Sequence, residues 1–227
     1  MRKLKFKPRA IIFDMDGVII DSMPYHFLAW YEALRPYGVR VGCFDVYSKE
    51  GENWEKTLED LLSKAKIESS PSLLKEIFLK RKNIFKRYFK RFIFPGAEDF
   101  LVCLRRQGYI LGLVTGSPFQ EVNRILSRRL RSLFDTLIAG NQVKKGKPHP
   151  EPYLKCAKTM GLKPNQCVVV ENAPFGIESA KKAGMFCVAL TTSLPKEYLA
   201  KADIIADSLS NISGIIEDYC RLSPLAR

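Results

Sequence analysis

Six short apolar runs, spaced along the chain with helical patterns between them, limit what this sequence can fold into. Ala10-Ile11-Ile12-Phe13 is apolar without alternation. Such a run reads as a strand covered on both faces, because a half-solvated strand alternates polar and apolar residues. Similar runs occur at Ile110 to Val114, Leu137 to Ala139, Val168 to Val170, Phe186 to Leu190 and Ile204 to Ala206. Ala97 to Gln107, Glu121 to Phe134, Pro150 to Met160 and Phe175 to Ala183 carry helical patterns. Strands alternating with helices predict an α/β fold, with a central parallel sheet and helices on both faces. In such sheets chemistry gathers at the carboxyl ends of the strands.

One stretch breaks the alternation. From Ser22 to Phe94 there are helical patterns and no convincing buried strand. The clearest runs from Leu73 to Phe92. Its apolar residues Leu73, Leu74, Ile77, Phe78, Phe85, Tyr88, Phe89 and Phe92 follow helical spacing, and Lys75, Lys80, Lys86, Arg87, Lys90 and Arg91 occupy the other face. Phe94-Pro95-Gly96 then marks the return to the sheet. The pattern predicts an α-helical insertion of about seventy residues after the first strand.

The strand ends carry the chemistry. The first strand runs into Asp14-Met15-Asp16-Gly17. Two carboxylates at the mouth of a buried strand are costly unless a cation or a proton offsets them. Taken alone, Asp16-Gly17 also reads as a simple chain reversal. The second strand ends in Thr115-Gly116-Ser117, where a hydroxyl and free N–H groups suit a phosphate or merely cap a helix. Lys147 in Gly146-Lys147-Pro148 could neutralise a phosphoryl oxygen or be a solvated loop lysine. The fourth run ends in Glu171-Asn172, whose oxygens suit a hard cation such as Mg²⁺. Each signal is weak alone. Four in this order are far less probable by chance.

In that order, Asp14-x-Asp16-Gly17, Thr115, Lys147-Pro148 and Glu171-Asn172 resemble the haloacid dehalogenase superfamily, and the likeness spans nearly the whole chain. The segments Asp21 to Trp30 and Gly146 to Glu151 resemble its β-phosphoglucomutase-like branch, which also contains many small-metabolite phosphatases. The resemblance implies a Rossmann-like catalytic core, residues 1–21 and 95–227, and a helical cap, residues 22–94. It implies Asp14 as a nucleophile that becomes an aspartyl-phosphate. Asp16 would be the general acid and base, and would also lend its backbone carbonyl to Mg²⁺. Thr115, Gly116 and Lys147 would hold the phosphoryl group, and Asp14, Asp16, Glu171 and Asn172 the Mg²⁺. The metal and Lys147 would offset the repulsion between an anionic nucleophile and an anionic phosphate. Asn172 departs from the branch, which often has a carboxylate there. The dehalogenases proper lack an acid at the Asp16 position.

The cap residues speak to the substrate. Lys82, within Lys80-Arg81-Lys82-Asn83, resembles a lysine that reaches the substrate in the mutases, or is one more solvated basic residue. Gly51-Glu52-Asn53-Trp54 stands where mutases carry Gly-x-Ser-Arg. The arginine that would grip a second phosphate is missing, which favours hydrolysis over isomerisation. In mutases a histidine at the position of His26 is proposed to restrain the acid-base aspartate; packing or capping is the plain alternative. Trp30 shares its helical face and reads as core. The hinges are expected near Ser22 and Phe94-Pro95.

Composition narrows the remaining classes. At 46% hydrophobic and 27% charged residues the chain is an ordinary globular one. No apolar run approaches the roughly 20 residues of a bilayer span. Met1 to Lys7 is basic, but Asp14 and Asp16 interrupt the apolar segment that follows, so it is no signal-peptide core. Cys43, Cys103, Cys156, Cys167, Cys187 and Cys220 form no C-x-x-C pair, and most read as core thiols in a reducing, cytoplasmic compartment. The net charge of +13 gathers at residues 75–91 and at Arg124, Arg128, Arg129 and Arg131. It reads as a solvated face first and as steering of phosphorylated substrates second. No groove-reading motif points to nucleic acid. The expected protein is a monomeric, Mg²⁺-dependent phosphohydrolase of small phosphorylated metabolites, sugar phosphates foremost. A β-phosphoglucomutase-type mutase and a non-catalytic binding protein acting through the basic cap are the alternatives.

Overall fold

The computed structural model describes residues 7–212. Six parallel strands form one sheet in the order β3-β2-β1-β4-β5-β6. They are β1 Ala10–Phe13, β2 Ile110–Val114, β3 Thr136–Ile138, β4 Cys167–Glu171, β5 Phe186–Leu190 and β6 Ile204–Ala206. The helices are α1 Met23–Leu34, α2 Cys43–Tyr47, α3 Trp54–Lys64, α4 Pro71–Tyr88, α5 Ala97–Arg106, α6 Phe119–Ile125, α7 Arg128–Arg131, α8 Glu151–Thr159 and α9 Pro174–Lys182. All four residues of β1 and all five of β4 are buried, as the absence of alternation demands.

Each face of the sheet builds its own core. Ile11, Phe13, Leu111, Leu113, Val168 and Val170 face Leu101, Leu104, Val122 and Leu130 of α5, α6 and α7. Ala10, Ile12, Cys167 and Val169 face Tyr153, Cys156, Ile177 and Ala180 of α8 and α9. The period of two sends successive side chains to opposite layers. Chain order reverses between β1 and β4. β2 and β3 lie on one side of β1, and β4, β5 and β6 on the other. That reversal opens a crevice where Asp14, Thr115 and Glu171 emerge side by side.

Helices α1 to α4 have a third core of their own, formed by Trp30, Leu34, Leu58, Leu61, Leu62 and Ile77. They make a helical cap on the sheet domain. The chain leaves and re-enters the sheet domain through two strands of linker that pair. Asp21 N donates to Phe92 O at 2.9 Å and Phe94 N to Ile19 O at 3.0 Å, with Ile20 opposite Ile93.

Three sequence expectations change. The helix expected over Leu73 to Phe92 begins at Pro71, where Ser70 caps Leu73 N, and ends at Tyr88. Phe89 leaves the helical conformation and the chain runs on to the linker pairing that begins at Phe92; Tyr88 and Phe92 are about half exposed. Glu121 to Phe134 is two short helices, because Leu126 and Ser127 are extended and Ser127 caps α7 through Leu130 N at 3.1 Å. Cys156, Cys167 and Cys187 are core thiols, but Cys43 is exposed and Cys103 partly so; Cys220 lies outside the described residues.

Burial pushes the Cys167 thiol up to about 11 and Cys156 and Cys187 up as well. A raised thiol has little thiolate at pH 8, and the thiolate is the reactive form. Alkylation of the native protein at pH 8, mapped by mass spectrometry, should therefore label Cys43 well before Cys156 or Cys187. Equal rates at these three positions would contradict the packing described here.

Candidate active site

Lys147 sits at the centre of the crevice. It follows β3 on an irregular loop, and its side chain is 2% exposed. Its Nζ donates to Asp14 Oδ1 at 2.5 Å and to Glu171 Oε1 at 2.6 Å. A buried ammonium is stable only with such partners. Burial alone would lower the Lys147 ammonium, but Asp14 and Glu171 outweigh it and raise it above its ordinary value.

Glu171 has no free acceptor left. Oε1 also accepts from Tyr153 Oη at 2.6 Å, and Oε2 accepts from the backbone N of Asn172 at 2.9 Å and of Ala173 at 3.3 Å. Gly176 of α9 lies against it; a Cβ there would fall 1.8 Å from Oε1. Glu171 is thus clamped, and holds Lys147 in turn. Tyr153 is wholly buried, and this contact was not legible from its place in an amphipathic helix.

Asp14 differs. Oδ1 meets Lys147, but Oδ2 is buried without a hydrogen-bond partner, and so is Asn172 Oδ1 on the neighbouring strand end. Asn172 spends its amide Nδ2 on Ser193 Oγ at 2.8 Å, which turns the oxygen the other way. Each unpaired buried acceptor costs roughly 1–3 kcal/mol. A carboxylate oxygen and an amide oxygen, both unpaired at neighbouring strand ends, suit a hard cation such as Mg²⁺, so the donors present fit that ion. Among the described residues no three His, Cys, Asp or Glu side chains cluster as a metal site, so the donor set here is a mixed one. Burial pushes the Asp14 carboxyl well up. Lys147 opposes this, while Glu171, Asp16 and Glu50 reinforce it.

Asp16 is fully engaged. Oδ1 accepts from Ser22 Oγ at 2.6 Å and contacts His26 Nε2 at 3.3 Å; Oδ2 accepts from Thr115 Oγ1 at 3.2 Å and Ser117 Oγ at 3.3 Å. Burial raises its carboxyl, but His26 and the hydroxyls of Ser22 and Thr115 outweigh that and hold it below the usual carboxylate range. Ser22 stands at the N-cap position of α1 yet makes no side-chain cap. Its hydroxyl goes to Asp16 instead.

His26 bridges further. Arg81 Nη2 lies 2.7 Å from His26 Nδ1. A guanidinium only donates, so Nδ1 accepts and the ring proton sits on Nε2, aimed at Asp16. His26 also stacks on Phe85, with ring centroids 4.5 Å apart. Arg81 lies over Trp30 and belongs to the inner side of α4, not to its solvated basic face. Lys82, its neighbour, is exposed at the rim of the cleft.

The loop between α2 and α3 closes the site from above. Gly51 has φ +81°, and a Cβ on it would fall 2.4 Å from Lys147 Cδ; one on Gly116 would fall 2.9 Å from Gly51 Cα. Cap and core touch here with no room for a side chain. Asn53 caps α3 through Glu55 N at 2.8 Å, and Trp54 stacks on Phe78 at 3.8 Å. The resulting cleft of about 460 Å³ is lined by His26, Trp30, Glu50, Gly51, Arg81 and Lys147 among others. Asp14, Asp16, Thr115, Lys147, Glu171 and Asn172 thus meet in one crevice, with Gly51 and His26 against them; Asn53, Trp54 and Lys82 line the outer cleft. Sequence reasoning passed over Glu50, Arg81 and Tyr153.

The contact at Gly51 is testable by urea denaturation. Gly38→Ala meets only the left-handed strain, since nothing lies within 4 Å of a Cβ there at φ +71°. That should cost about 1 kcal/mol. Gly51→Ala adds the collision with Lys147 and should cost measurably more. Equal costs would mean that the loop does not rest on Lys147.

Known proteins resemble this chain over most of its length. The profile of the haloacid dehalogenase-like hydrolases matches residues 8–184. The validoxylamine A 7'-phosphate phosphatase of Streptomyces hygroscopicus subsp. limoneus is 30% identical over 90% of this chain and 95% of its own. The fructose-1-phosphate phosphatase of Escherichia coli strain K12 is 34% identical over 79% of this chain and 94% of its own. A proposed β-phosphoglucomutase from Bacteroides vulgatus has a solved structure that matches with a TM-score of 0.83 at 28% identity, covering 93% of this chain and 90% of that one.

Proposed function

Since the chain belongs to the haloacid dehalogenase-like hydrolase family, we propose that it is a Mg²⁺-dependent phosphatase of small phosphorylated metabolites, sugar phosphates foremost, acting through Asp14. The observation that carries this reading is the asymmetry of Asp14. One oxygen is held by Lys147, and the other is buried and unpaired, as is Asn172 Oδ1 at the neighbouring strand end. The phosphatases of validoxylamine A 7'-phosphate and of fructose 1-phosphate support the class of substrate.

Asp14 attacks phosphorus as a carboxylate, and the bond from phosphorus to the leaving oxygen breaks. Asp16, having taken up a proton, gives it to that oxygen. Water then attacks phosphorus and yields its proton to Asp16. The bond from phosphorus to Asp14 breaks, which releases inorganic phosphate and restores the carboxylate. Lys147 and Thr115 hold the equatorial oxygens of the phosphoryl group. Asp14, Asn172 and the backbone carbonyl of Asp16 would hold Mg²⁺, which when bound offsets the negative charge of nucleophile and phosphate. Glu171, its oxygens filled by protein donors, acts on this account by fixing Lys147.

Four donors keep Asp16 in its base form. To serve as acid it must shed some of them. Ser22 and His26 lie at the start of α1, so movement of the cap relative to the sheet would loosen that grip before the leaving group is protonated.

Two outcomes test the reading. Asp14→Asn should lower kcat by at least about 10⁴-fold on p-nitrophenyl phosphate or a sugar phosphate, since it removes the nucleophile. Phosphate release within tenfold of the unmodified protein would exclude covalent catalysis by Asp14. Asn172→Asp should tighten Mg²⁺ several-fold in calorimetric titration, because it adds a charge at a ligand position. Unchanged affinity would remove Asn172 from the metal site.

A further inference from the structure

We propose that Glu50 is a specificity-determining residue, which selects leaving groups rich in hydroxyls and rejects those that carry a second anion close to the phosphate. This deepens the phosphatase reading above and rests on it. Glu50 lies on the loop between α2 and α3, next to Gly51, whose backbone touches Lys147 and Gly116. The loop thus places Glu50 in the lining of the cleft. Asp14, Asp16, His26, Lys147 and Arg81 all lie within its electrostatic reach. It is half-buried and lines the cleft.

Of the other acids of the cleft wall and floor, Asp16, Glu171 and Glu52 are engaged, whereas Glu121 lines the cleft within electrostatic reach of Arg81 and Glu55 is exposed at its edge. Asp16 and Glu171 each accept four contacts. Glu52 is met by Lys49, Lys56 and Thr57. Among the described residues no side chain or backbone group hydrogen-bonds to the Glu50 carboxylate or forms an ion pair with it. Glu50 thus lines the cleft with its acceptors uncommitted.

Among the cations, Lys147 is committed to Asp14 and Glu171 and Lys49 to Asp60 and Glu52, while Arg81 donates only to the neutral nitrogen of His26. Lys82 and Lys144 are exposed at the rim. Arg81 is the one cation lining the depth of the cleft that no ion pair among the described residues neutralises, and the Glu50 carboxylate within its electrostatic reach offsets it, so that a carboxylate or second phosphate on the substrate would meet Glu50 repulsion as well. A hydroxyl donates to Glu50 without that penalty. Arg81 Nε, buried and unpaired, adds a donor close by. Trp30, Trp54 and Phe78 supply apolar surface of the kind that receives the C–H face of a sugar ring.

The test measures kcat/KM of the Mg²⁺-loaded full chain for fructose 1-phosphate and for 2-phosphoglycolate, in the unmodified protein and in Glu50→Gln. The unmodified protein should favour the sugar phosphate by at least about tenfold. Glu50→Gln, which keeps the shape and removes the charge, should narrow that ratio by about tenfold, chiefly through a lower KM for 2-phosphoglycolate. A ratio unchanged in Glu50→Gln would overturn the proposal. So would a preference of the unmodified protein for 2-phosphoglycolate, whatever the variant does. Hydrolysis of p-nitrophenyl phosphate that depends on Asp14 keeps the two readings apart. If it is present while the ratio fails to move, only the role of Glu50 falls. If it is absent, the phosphatase reading falls and this one with it.

Discussion

A buried ammonium between two carboxylates holds the crevice together. Lys147 ties Asp14 at the end of β1 to Glu171 at the end of β4, and so spans the place where the sheet reverses direction. Desolvating three charges is expensive, and the expense is recovered only where geometry is close and every remaining lone pair is used. Tyr153 and two backbone amides use those of Glu171. Asp14 is left short by one partner. That unpaired oxygen is where the proposed Mg²⁺ would be held. The fold can carry it because β1 and β4 are wholly buried and hydrogen-bonded along their length.

The cap joins this arrangement at two points of opposite kind. At Gly51 it presses bare backbone onto Lys147 and Gly116. At Ser22 and His26 it supplies donors to Asp16. The first contact seats the cap loop on the core, and the second engages the carboxylate of the proposed acid. Both trace to positions where local structure gives something up. Gly51 takes a left-handed conformation, and Ser22 forgoes capping its own helix. Local rules tend to fail in this way where function has a claim on the residue.

The sheet and the crevice were legible because buried strands leave an unmistakable pattern and because polar residues at their ends have few other reasons to be there. The order Asp14, Thr115, Lys147, Glu171 then carried the family resemblance. What was not legible lay in residues with two plausible settings. Arg81 was grouped with the basic face of its helix, although Ile77 and Phe85 stand four residues to either side and put it on the apolar stripe. A guanidinium there needs an aromatic bed and an acceptor, and Trp30 and His26 provide them. Glu50 sits in an irregular loop, where periodicity says nothing. The break at Leu126-Ser127 was hidden because both halves share one apolar face, and only the serine hinted at a new start. Tyr153 looked like helix core, and it is; its hydroxyl found Glu171 through the fold alone.

The central claim is that phosphate passes through Asp14, and trapping the intermediate tests it most directly. The Mg²⁺-loaded protein would be mixed with a sugar phosphate, quenched in acid during turnover, reduced with borohydride and mapped by mass spectrometry after digestion. An acyl phosphate is reduced by borohydride where a free carboxylate is not, so the account predicts homoserine at position 14 and unaltered Asp16. Turnover with no modification at position 14, or with homoserine at another aspartate, would contradict it.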